Sequence, residues 1–420
     1  MSEYLRSQTD LALLDLESGN LNEAYTTLKM KAWTDPSYQS FVNAAAACRA
    51  MGDFPDAIRF LEQAIALERL NPVAYFNLAN VETDLAEFNS ALYLYRTAHS
   101  CAERSTLDIR SKQKIHLGLA QALLRERNFI EGWGHWELGR VNISWHVLPG
   151  TQIWIPGVSP KSGHVLVVCE GGYGDAFFFS RWLPQVKQRG ADKVTLMIWR
   201  CLVDWADWSR LGVDHVVAKE DGLDPTGIDH TTSWMSLPAD MMRSPDDIPR
   251  PLAWASLPGK RIGGPCEHTT PSIGFCWKAG EVGHLRKFRS LPDPSAAQVG
   301  DALLKLGGFC VSLNPVCAPC PGWNTLPGTF TWRDTTSMIQ TLDLVVSVDT
   351  AVAHLAALCG VPTLLLLPAN VDWKWGHENE DRWYGPHVRY FRNCNPHYWD
   401  VAGIIEAVKG VLSPACTTPK

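Results

Sequence analysis

A 34-residue period runs through the first third of the chain. Phe54, Ala57 and Ala64 recur as Phe88, Ala91 and Ala98, each 34 residues on, and Leu94 answers Phe60. An earlier copy reads Gly19-Asn20-Leu21, Ala24, Leu28. A later one reads Asn128-Phe129, Gly132, Trp136, after a longer connection through residues 104–114. One match at one position arises easily by chance, but several matches at one spacing do not. Small residues at fixed places let two helices approach, and large ones fill the gaps between them. The period therefore restricts residues 1–146 to about four stacked helix pairs, a short solenoid.

Thirty-four residues is the period of the tetratricopeptide repeat. Such an array has a concave face suited to a peptide or protein partner. Equally, it can serve as a scaffold with no ligand, because the pattern specifies packing and leaves binding open.

Composition narrows the rest. At 420 residues, two or three domains are expected. A hydrophobic content of 46% with 20% charged residues is ordinary for a globular chain. The net charge of −6 disfavours a broad electrostatic grip on nucleic acid or anionic membrane. No apolar run approaches about 20 residues, so no membrane span is expected. The first 20 residues carry acids within their apolar stretch and do not read as a signal peptide. Twelve scattered cysteines fit reduced thiols in a cytoplasmic protein. Cys310, Cys317 and Cys320 form the tightest group. They either hold a structural metal or are plain thiols, since the second close pair of a strong metal motif is missing. The eighteen tryptophans either pack the core or offer flat faces to a sugar or base.

Residues 147–162, rich in Pro and Gly, read as a linker. Strand, glycine turn and helix follow: residues 164–170 are apolar, Gly171-Gly172-Tyr173-Gly174-Asp175 turns, and residues 176–189 suit a helix. Glycines allow close approach of backbone to a ligand, which makes Gly172 and Gly174 candidate donor contacts. Asp175 opens the helix, where it can cap it or act as a base. Further strands at 193–199, 215–218 and 228–237 complete a small Rossmann-like lobe over residues 163–270.

A second lobe is expected over residues 271–412, with a tail at 413–420. Its first strand, 272–277, ends at Lys278. A basic loop follows, with His284, Arg286, Lys287 and Arg289. Such a loop either neutralises a diphosphate or is a solvated surface. Residues 308–313 read as another strand. The lobe centres on LDLVVSVDTAVAHLAALCGVPTLLLLP, residues 342–368. Residues 344–348 are an apolar, β-branched strand and 351–359 an Ala- and Leu-rich helix. Gly360 and Pro362 end the helix, and 363–367 is a second strand. This is a βαβ unit, hence a parallel sheet. Ligands of such sheets bind at the carboxyl ends of strands, and helix N-terminal amides there form an anion site. Asp349 and Thr350 either face that ligand or merely cap the helix. His354 either reaches the cleft or is a satisfied core histidine.

The segment SVDTAVAHLAALCGVPTLLLLP and the following PANVDWKWGHENEDRWYGPHVRYFRN resemble the heptosyltransferase family of GT-B glycosyltransferases. EGGYGDAFFFSRWLPQVKQRG is similar to that family's first strand and helix. Trp277 and Arg289-Ser290-Leu291-Pro292 match its strand-Trp, basic-loop, Arg-Ser-hydrophobe-Pro pattern. Residues 314–329 depart from the family text. Bacterial proteins that join tetratricopeptide repeats to such a domain are the nearer likeness. The resemblance implies an α + α/β chain: a tetratricopeptide solenoid, then a GT-B-like pair of Rossmann-like lobes.

It also implies transfer of a sugar from a nucleotide-diphosphate sugar, as co-substrate, to an acceptor. Asp175 matches the family's proposed catalytic base. We read the mechanism as a single inverting displacement, with Lys278, Arg289 and amides near Thr350 stabilising the departing diphosphate. Asp349 would accept from donor hydroxyls. No Asp-x-Asp metal motif lies near the expected site, so no metal cofactor is expected for the reaction. The rival is a non-catalytic scaffold or binding protein whose repeats recruit a partner.

Overall fold

The computed structural model describes residues 20–140, 150–154, 163–249, 270–280, 289–377, 381–393 and 398–413. Two compact units divide the chain, one helical and one α/β. Among the described residues, no helix is long and apolar enough to cross a membrane.

Seven helices make up the described N-terminal part of the first unit: α1 (Leu21–Thr34), α2 (Tyr38–Met51), α3 (Phe54–Leu67), α4 (Pro72–Asp84), α5 (Phe88–Glu103), α6 (Ile109–Arg125) and α7 (Phe129–Arg140). Local chemistry sets their ends. Ser37 and Ser40 form a reciprocal cap on α2. Asp53 and Asn71 accept from the first turns of α3 and α4, each with proline in the first turn. Gly52, at φ 80°, ends α2 in the left-handed region. Consecutive helices pack on one another, and α2 also touches α4 and α4 touches α6, as stacked pairs require. Ala57, Phe60 and Ala64, like Ala91, Leu94 and Ala98, are buried in the shared core. The described residues hold seven of the eight helices that four pairs require: α2 with α3, α4 with α5, α6 with α7, and α1 before them. Gly19 lies outside the described residues.

Residues 369–377, expected within the second lobe, pack with these helices. The reason is aromatic. Trp373 meets Trp133 and Trp136 edge-on, at 5.5 and 6.1 Å between ring centres. Arg125 donates to the Val371 carbonyl at 2.9 Å, and Asn370 donates to Asp84 at 2.7 Å.

The α/β unit contains two parallel sheets. The first joins β1 (Gln152–Ile153), β2 (His164–Val168), β3 (Lys193–Ile198), β4 (His215–Ala218) and β5 (His230–Ser233), in the order β1-β5-β2-β3-β4. The second joins β6 (Ser272–Cys276), β7 (Phe309–Ser312), β8 (Asn324–Thr325), β9 (Leu344–Val348), β10 (Thr363–Leu367) and β11 (Val388–Arg392), in the order β11-β10-β9-β6-β7-β8. β9 and β10 are buried throughout, as a parallel sheet covered on both faces demands. These are two Rossmann-like lobes after a helical array, the expected fold class.

Three expectations need correction. Residues 152–153, assigned to the linker, form an edge strand of the first sheet, because Gln152 and Trp154 donate to the carbonyls of Asp229 and Thr231. The single helix expected over 176–189 is instead α8 (Tyr173–Phe179), a tight turn at Ser180–Trp182, and α9 (Leu183–Gln188). Pro184 lacks the N–H that a continuous helix would use. The strand expected at 228–237 stops at Ser233, where the chain turns into a 3-10 segment. Most of the basic loop, 281–288, and most of 245–271 lie outside the described residues.

The contact of α6 with α7 yields a stability prediction. A methyl on Gly139 would meet Leu117 Cγ at 2.7 Å and the backbone of Leu117 and Gln113 at 2.9 and 3.0 Å, whereas one on Gly134 would meet nothing within 4 Å. Gly139→Ala should therefore destabilise the chain by about 1–3 kcal/mol. Gly134→Ala should stabilise by roughly 0.5–1 kcal/mol. Urea denaturation of both variants checks the opposite signs.

Candidate active site

The strand orders locate two crevices before any side chain is considered. In the second sheet the chain starts at β6, runs outward through β7 and β8, then returns to β9 on the other flank. The carboxyl ends of β6 and β9 are therefore a topological switch point, where helices diverge to opposite faces. Cys276 pairs with Ser347 in register, and Lys278 and Asp349 each lie two residues beyond that pair.

Thr350 is the N-cap of α12 (Ala351–Leu358) and accepts from the Ala353 amide at 3.4 Å; two further helices, α10 (Asp293–Leu304) and α11 (Trp332–Ile339), precede it. Ser347 and Cys276 also approach the Thr350 hydroxyl, at 3.0 and 3.7 Å. Thr350 thus caps α12. Lys278 extends into solvent with a side chain 45% exposed, and its ammonium pairs with Asp293 at 3.0 Å. Its backbone is clamped by Asn314, which accepts from the Lys278 amide at 3.3 Å and donates to its carbonyl at 3.0 Å.

Asp349 is 5% exposed. A carboxylate that deep needs a cation and hydrogen bonds. Arg289 supplies both: its guanidinium lies 3.1 Å from Asp349 Oδ2 and also donates to the Asp349 carbonyl. Arg289, expected on the diphosphate, is thus engaged by Asp349. On the far side of the carboxylate, His354 Nε2 stands 4.0 Å from Oδ1. His354 is 2% exposed, and its Nδ1 shares a 2.6 Å hydrogen bond with the Tyr384 hydroxyl. Burial, above all, pushes the Tyr384 phenol up, so it stays protonated. Arg181 lies over the Tyr384 ring at 4.7 Å and donates to the Trp383 carbonyl at 2.7 Å. Asp381 accepts from the Tyr384 and Gly385 amides and from the Tyr390 hydroxyl, the last at 2.6 Å. His354 is therefore a buried member of a polar chain that runs from Arg289 through Asp349 to Tyr384.

The glycine turn meets this chain end-on. A methyl on Gly174 would stand 3.0 Å from His354 Cδ2 and 3.5 Å from Ala351, the first residue of α12. Gly174 is small because α8 and α12 cross there. Asp175, one residue on, accepts from the Gly172 amide at 2.8 Å, a capping interaction that occupies that amide. Gly171, at φ 80°, adopts the left-handed conformation that turns the strand into the helix.

Sequence reasoning missed Arg181, Asp381 and Tyr384, and also Glu170. Glu170 follows β2 at the first sheet's own switch point, where it accepts from the Ser233 hydroxyl, and its carbonyl accepts from Trp234 Nε1 at 3.1 Å. A buried arginine between aromatic residues at FFFSRW was the available signal. Tyr173 also lines this edge, 5.6 Å from Trp199 and 5.3 Å from Trp332 between ring centres.

Among the described residues, Cys310, Cys317 and Cys320 belong to no group of three or more metal-ligating side chains with mutually close donor atoms. Cys310 is buried in β7, and desolvation lifts its thiol to about 11.

No protein-family model matches the chain, and no curated protein matches it. Solved structures do. E. coli ADP-heptose LPS heptosyltransferase II is 15% identical over 59% of this chain and 98% of its own, with a TM-score of 0.42. The type III secretion translocator chaperone SycD of Yersinia enterocolitica is 19% identical over 30% of this chain and 96% of its own, with a TM-score of 0.28. The Sgt2 TPR domain from Aspergillus fumigatus is 17% identical over 28% of this chain and 76% of its own, with a TM-score of 0.25. The strand orders and the helix pairs above, rather than these scores, carry the fold.

Tyr384→Phe isolates the buried chain. It removes one hydroxyl and leaves His354 Nδ1 without that partner, which should cost about 1–3 kcal/mol. Tyr390→Phe, at the half-buried end of the network, should cost less. Thermal and chemical denaturation of the two variants give the comparison.

Proposed function

We propose that the α/β unit transfers a sugar from a nucleotide-diphosphate sugar to an acceptor hydroxyl or similar nucleophile, with inversion. The observation that supports this reading is the meeting of α8 and α12: Gly174, the residue before Asp175, packs against Ala351, the first residue of a helix at the carboxyl edge of the second sheet. A base and an anion-stabilising dipole at one crevice are what such a displacement uses.

In this reading Asp175 takes the acceptor proton. The departing diphosphate is received by the α12 amides, by Lys278 and by Arg289. Asp349 is buried behind Arg289, so its first task is to hold that guanidinium at the crevice; any oxygen it offers a donor hydroxyl comes second. The charge acceptors are protein groups in place of a divalent metal. The helical repeats would recruit the acceptor's carrier or another protein partner through their concave face.

One observation favours a binding or scaffold protein instead: Asp175 already caps α8 and Arg289 already pairs with Asp349. Donor binding and turnover separate the two. A thermal-shift panel of nucleotide sugars identifies the donor, and a saturating one should raise the melting temperature. Asp175→Asn should then lower transfer by about 10²–10⁴-fold while donor affinity stays within a few-fold. Lys278→Ala should weaken donor binding and slow turnover together, and Lys278→Arg should retain more affinity than Lys278→Ala. Full turnover in Asp175→Asn would leave Asp175 as a cap alone. Unchanged donor affinity in Lys278→Ala would move the site elsewhere.

A further inference from the structure

Residues 1–140 contain three histidines, and all three converge. His99 on α5, His116 on α6 and His135 on α7 place one ring nitrogen each within 4.8 Å of the others. They are 17 and 19 residues apart in sequence, a spacing no local motif explains. The rings form a closed triangle, with centroids 4.9, 4.8 and 5.1 Å apart. His116 Nδ1 and His135 Nδ1 are 2.9 Å from each other. Nothing in the proposed transfer uses them.

We propose that His99, His116 and His135 bind one divalent transition-metal ion of the zinc class, clamping the last three described helices of the array. Three imidazoles with an open fourth position are a competent donor set for Zn(II), Co(II), Ni(II) or Cu(II). Metal–nitrogen bonds of about 2.0–2.1 Å in a tetrahedron set the nitrogens roughly 3.3 Å apart, so the His116–His135 pair has to open by a few tenths of an ångström and the most distant pair, up to 4.8 Å apart, has to close by up to roughly 1.5 Å. Rotations of the half-buried rings supply that. Glu103, whose carboxylate lies 3.9 Å from His99 Nε2, is a candidate fourth ligand; otherwise water takes the position.

The protonation states agree. Burial and the neighbouring histidines hold His135 at about 4, and burial lowers His116 as well. The charged groups facing them are Glu103 and Lys112 near His116, and Glu131 and Arg96 near His135. Both rings are therefore neutral at pH 7, the form that ligates metal. A neutral histidine cluster without metal is the competing explanation, and its N···N hydrogen bond would look the same.

Titration of the chelator-stripped, untagged full chain with Zn(II) and Co(II) decides between them. One equivalent should bind, with a rise in melting temperature. The Co(II) complex should show a visible ligand-field spectrum without thiolate charge-transfer bands. His99→Gln, His116→Asn and His135→Asn should each weaken binding by at least about tenfold. The double variant Cys317→Ser/Cys320→Ser should bind as the parent does. X-ray absorption of the zinc-loaded parent, which needs no variant to fold, should report nitrogen and oxygen neighbours only. Absence of a bound equivalent, sulfur in the coordination shell, or unchanged affinity in the histidine variants would overturn the site.

Discussion

The Asp349 carboxylate is the constraint around which the α/β unit is arranged. It follows a fully buried strand and is itself almost out of reach of water. An ion in that position is tolerable only when paired and hydrogen-bonded. Arg289 pairs with it and also caps its carbonyl. His354 and Tyr384 extend the polar path into the core, and Asp381 fixes the backbone of Tyr384. Each member satisfies the next, so the chain behaves as a network whose parts are worth more together than singly. The same network determines where Arg289 stands, and so what charge the crevice presents.

Close approach is the second theme, and it recurs in both units. Gly174 lets α8 reach the first turn of α12, and Gly132 and Gly139 let α7 settle on Leu124 and Leu117 of α6. In each case a missing side chain sets the distance between helices. In the α/β unit that distance decides how near α8 comes to the N-terminus of α12. In the helical unit it draws α6 and α7 together, and with them His116 and His135.

A chain of this kind combines two ways of building a surface. Repeats stack one supersecondary unit on the next, and each pair covers its neighbour. Parallel sheets bury their strands on both faces and leave function to the loops at the carboxyl ends. The candidate groups follow that division: Lys278, Asp349 and Glu170 come just after strands and Asp175 from the first turn of the helix that follows β2, while the histidine triangle comes from helix faces.

The sequence by itself determined the periodic parts. The 34-residue repeat, the strands Leu344–Val348 and Thr363–Leu367, and the residues at their carboxyl ends were legible because period and burial are local properties of the chain. The glycine turn and Thr350 as a cap were legible for the same reason. Only the tertiary structure decided which long-range partners meet. It seated Arg289 on Asp349, buried His354 against Tyr384, added residues 152–153 to a sheet, and packed Trp373 among helices more than two hundred residues away. It also joined His99, His116 and His135. Those pairings depend on register and on helix-to-helix distance, quantities fixed by packing across the whole fold and carried by no single stretch of sequence.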